Sequence, residues 1–130
     1  MTMKREVIYN PDLHFEHECW NRELLFWEDE LRSFQNRLEE LTSRWTDKEV
    51  LAQIEKFQNK FEIHENAIAS MKDDIHMHET NMADHYDKGE DVLEKTMVDR
   101  HLKFRDRIDT ERKLYLDLKK DLFRFLTKYM

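Results

Sequence analysis

From Leu13 onward, apolar side chains recur at alternating steps of three and four residues: Trp20, Leu24, Trp27, Leu31, Phe34, Leu38, Leu41 and Trp45, with His17 filling the one gap. Such a heptad stripe turns one face of a long helix into a core. The spacing resumes at Val50, Ile54, Phe57, Phe61, His64, Ile68, Met71, Ile75, His78, Met82 and His85. It returns a third time at Leu93, Met97, His101, Phe104, Ile108, Glu111, Tyr115, Leu118, Leu122, Phe125 and Tyr129. Helix punctuation stands at the ends of the stripes. Asn10-Pro11 offers a capping oxygen followed by a residue that needs no amide hydrogen. Thr46-Asp47-Lys48-Glu49 matches a capping box, in which Thr46 and Glu49 satisfy each other's backbone amides. Asp87-Lys88-Gly89 ends on a residue that closes a helix in the left-handed conformation. The pattern predicts an all-α protein: an antiparallel up-down-up three-helix bundle, one domain over residues 1–130, with helices at about 11–45, 47–87 and 90–130 and a short arm at 1–9.

Composition sharpens this picture. The chain holds a single glycine, Gly89, and a single proline, Pro11, whereas sandwiches, barrels and doubly wound sheets need turn residues every few positions. The net charge of −7 disfavours nucleic acid or an anionic membrane as the main partner. The excess of acid falls in the first two thirds of the chain, and the last third is mildly basic. One cysteine, Cys19, cannot form an internal disulfide, and neither a signal peptide nor an apolar run of membrane-spanning length is present. These features predict a cytoplasmic protein without a membrane span.

A weaker apolar row lies off the core stripe. Phe15, Cys19 and Phe26 share one face of the first helix, and Leu116 and Phe123 stand one heptad apart on the third. An exposed apolar row on a thin bundle predicts a homodimer through Phe15, Phe26, Leu116 and Phe123; the alternative is that these residues thicken the margin of the core. Cys19 reads as a free thiol without a role.

The histidines carry the chemistry. If they ignored the stripe, about two of seven would fall at core positions, yet His17, His64, His78, His85 and His101 all do. Folding the chain at turns near Thr46 and Gly89 places residues opposite one another by subtraction, and both His17 and His101 then face position 75. His78 lies one turn beyond that level, and His14 pairs with position 78. Four histidines from three helices therefore converge within about one helical turn. Buried imidazoles need a partner at each nitrogen and repel one another once charged. A divalent metal answers both needs, so His14, His17, His78 and His101 are candidate ligands, with Glu18 and Asp74 as nearby carboxylates. His76 and Glu79 flank the layer as weaker candidates, and Glu16 reads as pointing outward. Zinc is favoured over iron, which enters if Glu18 or Asp74 joins. The competing expectation is a non-enzymatic interaction module, a spectrin-like bundle whose core histidines only set helix register. A second polar layer gives His64 two partners, Glu111 in the core stripe and Glu28 at its edge, and reads as a register pin rather than a second metal site or an acid-base pair; His85, near the turn, reads as solvated. A narrow three-helix core leaves little room for a substrate pocket, and the sequence carries no catalytic signature.

Iron-binding bundles invite comparison. His101 and Asp106 repeat the His-x4-Asp spacing of the last helix of hemerythrins, but no His-x3-His or His-x3-Glu pair accompanies it and a fourth helix is lacking. Ferritin-like di-iron proteins need Glu-x2-His pairs on two helices; the nearest substitute is Asp73-x2-His76. No family follows from these spacings.

Overall fold

A computed structural model describes residues 10–87 and 95–130 of the chain. The described residues are 96% helical and contain no strand. Helix α1 spans Asn10–Arg44, α2 Lys48–Asp87 and α3 Lys95–Tyr129, so each bound that can be compared lies within a residue of the expected one. The arm at 1–9, the turn at Gly89, Leu93 and the start of the third helix lie outside the described residues, as do the side chains of Asn10, Met82 and His85.

Cross-helix pairs establish the topology. Partners ascend together between α1 and α3: His17 meets His101, Glu23 meets Arg112, Glu30 meets Lys119 and Trp45 meets Tyr129. They run oppositely between α1 and α2, where His14 meets Glu79 and Glu28 meets Lys72, and between α2 and α3, where Phe57 meets Phe125 and Asp74 meets Arg107. The chain is thus an up-down-up three-helix bundle. Each helix, 35 to 40 residues long, extends for about 50–60 Å.

The α1 to α2 turn differs from the capping box expected at Thr46. The Oδ1 atom of Asp47 accepts the backbone N–H groups of Glu49 and Val50 at 2.8 and 3.2 Å, which makes Asp47 the cap. A carboxylate outcompetes a hydroxyl for these amides because the helix N-terminus carries partial positive charge. Trp45 fastens the turn to the far end of α3, its Nε1–H donating to the carbonyl of Tyr129 at 3.1 Å while the two rings meet edge-on.

The heptad residues fill the interior. Leu24, Leu31, Leu38, Leu41, Ile68 and Leu122 are fully buried in one continuous apolar block, each contributing about 1.5–3 kcal/mol by leaving water. A smaller block of Leu13, Met97 and Val98 stands apart from it. Between the two lies a layer of histidines.

Candidate metal centre

His17 and His101 come from equivalent places on the parallel helices α1 and α3, and their core positions leave them 1% and 0% exposed. His78 enters from α2 at 8% exposure. The His17 ring centroid lies 5.0 Å from that of His101 and 5.7 Å from that of His78. Trp20, one turn along α1, stacks on His101 at 4.9 Å, and Phe104 closes the layer against Trp20 and His78.

Each buried ring on α1 and α3 is held by a carboxylate. Glu79 of α2 accepts from His17 Nδ1 at 2.5 Å through one oxygen and contacts His14 Nδ1 at 2.6 Å through the other. Glu16 of α1 accepts from His101 Nε2 at 2.7 Å. It also takes a two-pronged contact from Arg105, at 2.8 and 2.9 Å. Burial alone would push the Glu16 carboxyl up, but the Arg105 and His101 donors overcome it and hold the group below its ordinary value, so it is an anion.

Protonation states follow from these partners. Burial pushes His17 down despite the Glu79 bond and pushes His101 down despite the Glu16 bond, so both rings are neutral near pH 7. A neutral imidazole has one N–H, and a carboxylate only accepts. The proton of His17 is therefore assigned to Nδ1, facing Glu79, and that of His101 to Nε2, facing Glu16. The remaining nitrogens, His17 Nε2 and His101 Nδ1, face each other at 3.2 Å, each with a lone pair. Two acceptors at that distance repel; the arrangement becomes favourable only with a third proton or a metal ion between them.

No protein-family model, curated protein or solved structure matches the chain. The site is read from its geometry alone.

The candidate ligands separate into two groups. His17, His78 and His101 come together in the buried layer. His14 stands one step outside, exposed and linked through Glu79, whose hydrogen bond holds its imidazole above the ordinary value. Glu18 lies 3.6 Å from His14 on the same exposed surface. Asp74 is engaged with Arg107 across the α2–α3 seam. His76 and Asp106 are exposed. Among the described residues, no three ligating side chains already surround one point; His17 and His101 face each other with two nitrogens, and the His78 ring centroid stands 5.7 Å from that of His17. Glu16 does not point outward. Its position flanks the stripe, but its chain is long enough to reach back to α3.

The second polar layer forms as expected on one side. His64 Nδ1 is hydrogen-bonded to Glu111, while Glu28 pairs with Lys72 at 3.1 Å. One turn beyond Glu111, Tyr115 meets the His64 ring edge-on and donates its hydroxyl to Glu30 at 2.8 Å. No described helix is long and apolar enough to cross a membrane.

Proposed function

We propose that the protein binds one divalent transition-metal ion, zinc ahead of iron, in the layer of His17, His78 and His101. The observation that carries this reading is the pair of facing nitrogens at 3.2 Å. In a tetrahedral zinc site with Zn–N distances of 2.0–2.1 Å, neighbouring nitrogens stand about 3.3 Å apart. The outer nitrogens of both rings already donate to carboxylates, the arrangement that fixes the tautomer of metal-bound histidine and raises its basicity. Charge agrees at the facing pair, where Glu16 and Glu79 stand against Arg105, while Arg100 and Asp74 act in opposite senses on His78. His78 completes a three-nitrogen set, and a water or a fourth side chain takes the remaining position. With Asp74 tied to Arg107 and Glu18 turned to His14, the donor set is nitrogen-rich, which favours zinc.

The test is elemental analysis of gently purified protein, followed by zinc titration of chelator-treated wild type, His17→Ala, His101→Ala and His14→Ala. We expect about one equivalent per chain in wild type and His14→Ala, and uptake lost in the other two. Zinc at one hundred times Kd raises the unfolding free energy by about 2.7 kcal/mol. A folded wild type that neither carries zinc nor takes it up ends the proposal.

A second reading rests on a different observation. Phe15, Phe26, Leu116 and Phe123 are all exposed, as a spectrin-like interaction module that pairs with a second copy of itself requires. In that reading a shared proton replaces the metal and the layer serves only to hold register. In either case we place the protein in the reducing cytoplasm, where the exposed thiol of Cys19 stays free.

A further inference from the structure

A groove of ≈ 280 Å³ lies between α2 and α3 and opens onto the edge of the histidine layer at His78. Three cations on one face of α3 line it, Arg100, Lys103 and Arg107, above an apolar floor of Phe104 and Met77. Arg107 is already engaged by Asp74, donates to Ser70 at 3.0 Å and lies 5.8 Å over the Phe104 ring. Arg100 and Lys103 are exposed, and neither has an ion pair among the described residues. Among the described residues the groove therefore carries two positive charges without an ion-pair partner, beside the paired Asp74 and Arg107, on a protein whose net charge is −7.

The wall of the groove holds a second anomaly. His78 is 8% exposed, and neither of its ring nitrogens is hydrogen-bonded among the described residues. A buried imidazole left this way lacks the hydrogen bonds that water would supply, and it lines the same groove as the cations.

We infer that this groove binds a phosphate monoester bearing one aromatic ring. The charges of Arg100 and Lys103 match a phosphate dianion, and guanidinium, ammonium and imidazole N–H are the donors from which such a group accepts. The exposed Met77 side chain, with the small part of Phe104 that still reaches the groove, gives the ester's ring apolar contact. The volume lies just below the range of drug-sized sites, about 300–1,000 Å³, which suits a single ring. The site does not need the metal.

The experiment titrates phenyl phosphate into chelator-treated protein, followed by calorimetry and by NMR shifts of the His78 and Phe104 rings, with inorganic phosphate and phenol as comparison ligands. Phenyl phosphate is expected to move both rings and to bind at least tenfold more tightly than either comparison ligand. The exposed double variant Arg100→Gln/Lys103→Gln, shown to be folded by circular dichroism, is expected to weaken it at least tenfold. Equal binding by the double variant, equal binding of inorganic phosphate, or shifts that bypass His78 and Phe104 would each overturn the assignment. Because chelator is present throughout, failure here leaves the metal proposal standing, and failure of zinc uptake leaves this site standing.

Discussion

His17 Nε2 faces His101 Nδ1 at 3.2 Å, and each ring spends its single proton on a carboxylate on its other side. This opposition of two acceptors makes the layer responsive to acid. Burial holds His17, His78 and His101 below their ordinary value of 6.5, so the unfolded chain takes up protons at these positions before the folded chain does.

Metal-free stability is therefore expected to be full above about pH 6.5 and to fall as pH drops toward the folded values. Each ring contributes a slope of up to about 1.4 kcal/mol per pH unit. His14 acts in the opposite sense, since its raised value stabilises the fold below pH 6.5, but its exposure leaves that contribution small. Glu16, held below 4.5, adds a further loss when the carboxylate range is reached. The check is the melting temperature in chelator between pH 8 and pH 5. A midpoint that stays level or rises on acidification contradicts the assignment of neutral rings.

The α1 to α2 turn makes a separable prediction about its cap. Asp47→Ala removes the acceptor for two backbone amides and is expected to cost about 1 kcal/mol. Thr46→Ala touches no such bond and is expected to fall within about 0.5 kcal/mol of wild type. Urea denaturation distinguishes the two, and a larger cost at Thr46 would restore the capping box.

Breaking the His64–Glu111 pair from one side leaves a largely buried polar group unmet. Glu111→Ala is expected to cost about 2 kcal/mol. Replacing both partners with leucine is expected to return stability to the wild-type level or above it, as for other buried pairs exchanged for apolar side chains. A double-mutant cycle measures this; additive losses would show that the two residues do not act as a unit.

Sedimentation equilibrium tests the exposed apolar row. The second reading predicts a concentration-dependent dimer that Phe15→Glu or Phe123→Glu converts to monomer, with the melting temperature of the monomer unchanged for the exposed Phe15 and slightly lowered for Phe123, which meets Phe34 edge-on. A wild type that remains monomeric at all concentrations rejects this interface.

The helices were legible because almost nothing in the sequence interrupts them. The apolar stripe, Pro11 and the break after Trp45 place each comparable helix end to within a residue, and the histidine excess pointed to the layer. What the stripe does not encode is the exact offset between helices. A turn placed symmetrically at Thr46 sets His17 against position 75, whereas the structure sets it against His78 and Glu79, about one turn further on. That displacement brings Glu79, not Asp74, to the level of His17. Glu16 was missed for another reason: a heptad pattern describes where a Cα lies, and a glutamate at the flank has the reach to turn inward toward a buried donor. Its only sequence signal was its place beside His17 on a helix parallel to the one that carries His101 and Arg105.

Trp20 lies with its indole stacked at 4.9 Å on His101 and 5.5 Å from His17, sealed from water in the same layer. Whatever fills the space between the two imidazoles, proton or metal, changes the charge beside an emitting indole. Uptake of either is therefore expected to alter the Trp20 share of the emission, against the constant background of Trp27 and Trp45, which lie outside the layer.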